Sequence, residues 1–185
     1  MTERVREQIV LRRLGPADRP ILRRWLRDPV VQAAIEDETI ASSRMRKTVA
    51  LFESSDPFRD GSMGLLVERA GKPIGLIHFV WINWISRNAE VVIFVGPGEL
   101  RNSLTAMALI VNVGHAAFRD LNLNKFYAFV YGSNTKALSV FKRLCAEEAC
   151  LRSYVKSQNG YEDVHFFGFL ASEYAAGLKR LKGRF

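Results

Sequence analysis

The stretch QIVLRRLG alternates apolar and polar positions and predicts a strand that ends at Gly15-Pro16. The period then changes. In PADRPILRRWLRDP, Ile21, Leu22, Trp25 and Leu26 fall on one stripe of a helix. Asp18 is placed to cap that helix and Asp28-Pro29 to end it. A second helical region, in two pieces, is expected over 30–52, followed by the polar loop ESSDPFRDGS. Three strand-like runs follow: MGLLVERAG, PIGLIHFVWINW and AEVVIFVG. Gly71-Lys72-Pro73 turns the first into the second, and Ser86-Arg87-Asn88 turns the second into the third. Residues 103–120 are apolar nearly all round, with Leu104, Ala108, Val111, His115 and Phe118 at helical spacing, so a buried helix is predicted with His115 as a core residue. NKFYAFVYG reads as a strand and NTKALSVFKRLC as a helix. CLRSYVKS and DVHFFGFL read as strands joined through QNGY, with Asn159-Gly160 as the hairpin signal. A basic helical tail, 171–185, closes the chain.

The order is β-α-α-β-β-β-α-β-α-β-β. Antiparallel strands come first, then a β-α-β crossover, then a hairpin. This predicts an α/β (α+β) fold with a mixed sheet of about seven strands, in a single domain over 1–185. No repeat, low-complexity tract or composition shift divides the chain.

Charge narrows the function classes. The 185 residues carry a net charge of +8, and the pI is about 9.8. The basic residues are scattered, with excesses only near 4–27 and 179–184, and no zinc or RNA-binding signature accompanies them. That argues against sequence-specific nucleic-acid binding and leaves an anionic small ligand or an acidic carrier. Cys145 and Cys150 are the two cysteines, five apart, and cannot complete a zinc site. Two free thiols suit a reducing cytoplasm. MTERVREQIV lacks the apolar core of a signal peptide, and the longest apolar stretches fall short of the roughly 18 residues a membrane span needs.

The candidate chemistry begins at VGPGELRNSLTAMAL. A strand ends, the chain turns on Gly96-Pro97-Gly98, and the buried helix starts near Ser103. The first turn of a helix offers free N–H groups and the positive end of its dipole, both favourable to phosphate. Arg101 stands just ahead of it. Leu104 occupies a position where a phosphate-cradling loop normally has glycine, because a Cβ obstructs close approach of backbone to phosphate.

Taken in order, the segments IVLRRLGPADRPILRRWLRDPVV, GKPIGLIHF, RNAEVVIFVG, AFRDLNLNKFYAFVYGSNTKAL and CLRSYVKSQNGYEDVHFFGFLASEY resemble the GNAT superfamily of acyl-CoA-dependent N-acyltransferases over residues 10–174. Within it they are similar to the RimJ/RimL-like branch, which acetylates ribosomal-protein N-termini, amino sugars and polyamines. The resemblance implies a mostly antiparallel sheet whose central parallel strands splay apart to admit acetyl-CoA or another acyl-CoA, with no metal. It places the donor along Phe94, Val95, Arg101, Asn102, Ser103, Leu104, Thr105 and Ala106, together with Phe141 and Asn134, whose amide would bond the pantetheine arm and which also reads as a helix N-cap. It makes Glu90 the base or water-positioning carboxylate, with sheet-edge or ion-pair Glu as the plainer reading. His78 becomes a second catalytic candidate, and Trp81 and Trp84 line the acceptor pocket, with core packing as the alternative for all three.

Three positions depart from the family pattern. The pyrophosphate loop [Q/R]-x-x-G-x-[G/A] has Leu104 in place of glycine. The usual tyrosine acid is Phe141, which has no proton to donate. The usual Leu-Gly-Phe is Leu144-Cys145-Ala146, without the glycine that commonly stops a helix. Cys145, with no His or Asp neighbour in sequence, reads as a small buried residue. Asp163 reads as holding the final hairpin. Three readings stay open: an acyl-CoA:amine acyltransferase, a relative that takes its acyl group from an acyl carrier protein, and a binding or regulatory protein that kept the fold. A homodimer is compatible with each.

Overall fold

The computed structural model describes residues 9–27, 61–95, 103–157 and 160–182. The helical region expected over 30–52, the Gly96-Pro97-Gly98 turn, Arg101, Asn102 and Asn159 lie outside the described residues. Seven strands form one sheet: β1 (Ile9–Arg13), β2 (Met63–Arg69), β3 (Lys72–Asn83), β4 (Asn88–Val95), β5 (Lys125–Tyr131), β6 (Ala146–Ser157) and β7 (Gly160–Leu170). Their order across the sheet is β1-β2-β3-β4-β5-β7-β6. Every neighbouring pair is antiparallel except β4 and β5, which are joined by the crossover. Among the described residues the α-helices are α1 (Arg19–Leu26), α2 (Ser103–His115), α3 (Thr135–Leu144) and α4 (Ala171–Lys182).

The two faces of the sheet are built differently. On the first, Leu65, Val67, Ile77, Phe79, Ala89, Val91, Phe126, Ala128, Val130 and Phe167 pack under Ala108, Leu109 and Val113 of α2 and Phe141 of α3. Fully burying each large side chain contributes about 1.5–3 kcal/mol, so this face carries most of the core. α2 is also covered away from the sheet, where Tyr174 of α4 lies against Gly114, and this second contact is why more than one stripe of it is apolar. On the second face, Leu66 and Leu76 pack under Leu22 of α1, and the Trp25 ring lies 5.7 Å from that of Phe94. The period-two pattern of NKFYAFVYG divides accordingly: Phe126, Ala128 and Val130 face the first side, and Tyr127, Phe129 and Tyr131 the second.

Four local expectations are corrected. Asp18 sits at the start of α1 but makes no side-chain cap. Its carboxylate accepts two hydrogen bonds from Arg12, at 2.8 and 2.7 Å, and one from the Gly15 N–H at 2.8 Å. A buried carboxylate beside a guanidinium gains more from that fork than from a cap. His115 is not a core residue: its side chain is 44% exposed and lies 3.7 Å from Asp120. The reason is a change of winding. After His115 the helix widens, and residues 116–120 form a π turn in which the Leu121 N–H donates to the Ala116 carbonyl at 2.9 Å. This turn swings Phe118 onto Phe126, Phe169 and Tyr174, at ring distances of 5.4, 6.0 and 5.5 Å. β6 starts at Ala146, four residues before the run that predicted it, because Ala146 already pairs with Gly168. β7 likewise starts at Gly160 rather than Asp163. Asp163 holds the hairpin as expected, accepting from the Ser153 N–H at 2.8 Å where β6 bulges.

Candidate active site

A fork opens in the middle of the sheet. β4 and β5 pair only at Asn88↔Lys125, Ala89↔Phe126 and Glu90↔Tyr127. Beyond Glu90, β4 continues beside β3 as far as Val95, and β5 continues beside β7 as far as Tyr131. The two halves of the sheet therefore separate past Glu90 and Tyr127. The Arg87 carbonyl accepts from the Lys125 N–H at 3.2 Å. Backbone groups alternate sides along a strand, so residues 89, 91, 93 and 95 present theirs toward β5. Past the pairing, the Ile93 and Val95 backbone groups face the opening. α2 begins after the short connection from β4, so its first turn, with four N–H groups lacking intrahelical partners, lies downstream of the same strand end.

Glu90 and His78 come together at the base of the fork. Val80 is the register partner of Glu90, and His78 that of Val92. His78 and Glu90 are thus diagonal neighbours on one face of adjacent strands, a geometry of about 7–8 Å between Cα atoms. Both are buried, at 1% and 4% exposure. Glu90 is on a central strand, which replaces the sheet-edge reading. Burial pulls the His78 imidazole down to about 4, so it is neutral at pH 7.

Gly75 sets how closely β3 and β4 approach beside the opening. A Cβ there would lie 2.5 Å from the Phe94 carbonyl oxygen and 3.0 Å from the Val95 Cα. Phe94 points to the second face, onto Trp25, and Val95 packs against the main core. Ser103, Leu104, Thr105 and Ala106 form the first turn of α2, and their side chains lie outside the described set.

Across the fork, Asn134 caps α3: its Oδ1 accepts from the Ala137 N–H at 3.1 Å. The cap engages the amide oxygen, so its NH2 group is what it can offer a ligand. Phe141 is in the core, 9% exposed, with its ring 5.5 Å from that of Phe167. α3 ends without a left-handed residue. Cys145 is extended (φ −128, ψ 155), its N–H donates to the Phe141 carbonyl, and the chain runs directly into β6. Burial, with Glu173 nearby, pushes the Cys145 thiol up to about 12, which keeps it protonated and unreactive. The two tryptophans are not brought together. Trp81 sits at a β3 irregularity with φ +54 and is 74% exposed, whereas Trp84 packs against the main core.

A family model described as an acetyltransferase (GNAT) domain matches residues 8–146. The chain belongs to the GNAT acetyltransferase family. Spermidine N(1)-acetyltransferase of Vibrio cholerae serotype O1 is 34% identical over 111 residues, which are 59% of this chain and 64% of the relative. Spermidine N(1)-acetyltransferase of Escherichia coli K12 is 33% identical over 79 residues, 43% of this chain and 42% of the relative. The matched stretches thus span less than two thirds of these curated relatives. The solved structure of the Vibrio cholerae spermidine N-acetyltransferase in complex with CoA and spermine superposes with a TM-score of 0.75 at 26% identity, covering 91% of this chain and 99% of that one. These comparisons support the GNAT superfamily; the relatives they bring are spermidine acetyltransferases, and none singles out the RimJ/RimL-like branch. Tyr127, the register partner of Glu90 at the last β4–β5 pair, is a position beside the fork that the sequence reading did not single out. The alternation of NKFYAFVYG carried the signal, since it puts Tyr127 and Phe129 on the face opposite the main core.

Proposed function

We propose that this GNAT-family protein transfers an acetyl group from acetyl-CoA to a primary amine of a polyamine. The observation that carries the donor half is the fork itself. Past Glu90 the Ile93 and Val95 backbone groups face the opening instead of a paired β5, and α2 begins downstream of the same strand end, which supports a donor lying there. A thioester carbonyl lodged there is polarised by a β4 N–H, with Val95 as the candidate, while the pyrophosphate takes the helix N–H groups. Glu90 stands at the base of the fork and removes the amine proton, directly or through one water. The amine nitrogen then bonds to the carbonyl carbon and the carbon–sulfur bond breaks. Phe141 has no proton to give, so the thiolate leaves as such and is protonated from solvent. His78, neutral and diagonal to Glu90, is a polar neighbour of the reacting amine and not a charge carrier. The acceptor class is supported by the spermidine acetyltransferases among the relatives. Free Cys145 and Cys150 suit work in a reducing cytoplasm, and no helix of the described residues is long and apolar enough to cross a membrane.

The test follows free-thiol release from acetyl-CoA against a panel of spermidine, spermine, putrescine, an amino sugar and a ribosomal-protein N-terminal peptide. Polyamines are expected to turn over fastest, and Glu90→Gln to lower kcat about 100-fold or more with acetyl-CoA KM unchanged. No turnover with any amine, or an undiminished Glu90→Gln rate, removes the reading. An acyl carrier protein as donor is the competitor, carried by the departures at Leu104, Phe141 and Leu144-Cys145-Ala146. The same assay with an acyl-loaded carrier in place of acetyl-CoA separates the two.

A further inference from the structure

The second face of the sheet carries a cluster of rings that the chemistry above does not use. Tyr127 and Phe129 project from β5 and Phe166 from β7, where Phe129 and Phe166 are register partners. Phe166 lies 5.3 Å from Tyr127 and 5.1 Å from Phe129, and the Tyr127 and Phe129 rings are 6.0 Å apart. All three are half-buried. The cluster begins at the site, because Tyr127 is the register partner of Glu90. Its other end already holds an ammonium. Lys125 Nζ stands 5.4 Å over the Phe166 ring and pairs with Glu148, whose side chain is 34% exposed.

Resting on the polyamine reading, we infer that the Tyr127–Phe129–Phe166 platform is the acceptor subsite for an alkylammonium chain, with Glu148 holding its distal ammonium. A polyamine presents one amine to the reaction while its other nitrogens remain protonated at neutral pH. The protein's net charge of +8 repels such a cation at long range, so capture depends on local groups. Aromatic faces attract an ammonium without adding a charge, and a carboxylate at the edge completes the attraction. Lys125 marks where that ammonium sits and competes for it. The geometry has the right reach. Glu90 is on β4 and Glu148 on β6, three strand positions away across β5 and β7, or about 14 Å at 4.7–4.9 Å per strand. An extended polyamine laid across the strands from Glu90 toward Glu148 crosses Tyr127 and then Gly168, against which Glu148 lies, with the Phe129 and Phe166 rings in the adjacent row beside it.

The experiment compares spermidine with hexylamine, which has a reacting amine but no second cation. Phe166→Leu is expected to raise KM for spermidine about 3- to 30-fold and leave KM for hexylamine and acetyl-CoA unchanged. Phe166→Tyr, which keeps the ring face, restores spermidine KM. Lys125→Met is expected to act in the opposite direction and lower spermidine KM, because it frees both the platform and Glu148. Equal effects on the two amines, or a raised spermidine KM in Lys125→Met, overturn the inference. If Phe166→Leu does not fold, by circular dichroism, Lys125→Met and Phe166→Tyr decide. If the wild type acetylates no amine, the functional reading fails. Calorimetric titration of spermidine then tests the platform alone: at least threefold weaker binding in Phe166→Leu supports it, and equal or absent binding overturns it.

Discussion

Substituting alanine at Gly75 presses on the strand that bounds the fork. The new Cβ would stand 2.5 Å from the Phe94 carbonyl oxygen, 3.0 Å from Val95 Cα and 3.3 Å from Val95 Cγ2. The first two are backbone atoms and cannot rotate away. Gly75 and Val95 are register partners, and the alternation derived above makes them a non-hydrogen-bonded pair, the closer of the two kinds. Relief to an ordinary contact needs a shift of about 1 Å at the end of β4. Overpacking of this kind destabilises by about 1–3 kcal/mol. For a chain of this length each kcal/mol lowers Tm by roughly 2–4 °C, so the expected drop is about 2–12 °C. The displaced segment includes the Val95 N–H proposed above to polarise the thioester carbonyl, and a misplacement of about 1 Å is expected to lower kcat/KM for acetyl-CoA by roughly 10- to 100-fold. Gly177→Ala is the control, since nothing lies within 4 Å of a Cβ there and the residue is helical; it is expected to leave Tm unchanged or raise it. Differential scanning calorimetry and steady-state kinetics read both effects. A Gly75→Ala protein that melts within 1 °C of wild type (about the precision of a Tm shift), with unchanged acetyl-CoA kinetics, refutes the close approach and its link to the donor.

Two further predictions concern pH. His78 is held near 4 in the folded protein against about 6.5 when exposed, so the unfolded chain takes up a proton first as pH falls. The stability it contributes is full above about pH 6.5 and is lost between there and 4, at about 1.4 kcal/mol per pH unit; urea melts of His78→Leu should lose this slope, and an identical slope would refute it. Asp18 is held below the usual carboxylate range by hydrogen bonds from Arg12, with a further one from the Gly15 N–H, against an opposing effect of burial. Its contribution is present above about pH 3.9 and fades as pH falls below that value. Allowing for the exposure of Arg12, Asp18→Asn should lower stability by about 1–2 kcal/mol at pH 7, with the difference closing toward pH 2; a difference that persists there refutes the linkage.

Much of the fold was legible because strand and helix periods are local. The seven strands, a helix starting at Ser103, the Asn134 start of α3 and the β4–α2–β5 crossover all followed from spacing and turn residues in the sequence. Where the local reading failed, a distant group had intervened. Asp18 has a capping residue's chemistry, but Arg12 on a neighbouring strand competes for the same oxygens and wins with two charge-assisted hydrogen bonds. His115 sits at helical spacing with the core residues, yet the π turn that follows leaves it half-exposed while bringing Phe118 into the aromatic cluster with Tyr174. β6 outran its sequence signal because pairing with β7 extends it back to Ala146.

The candidate site divides in the same way. By itself the sequence determined that Glu90 lies on a strand leading to a helix N-terminus, that Phe141 offers no acid, and that Leu104 stands where a glycine is usual. Only the tertiary structure decided that pairing between β4 and β5 stops at Glu90 and Tyr127, that His78 lies diagonal to Glu90, and that three rings and a lysine gather beside them. The physical reason is that periodicity is set by backbone geometry within a few residues. Register, by contrast, is settled by which residues from far along the chain pack best together, and the side chains around a site inherit their neighbours from it.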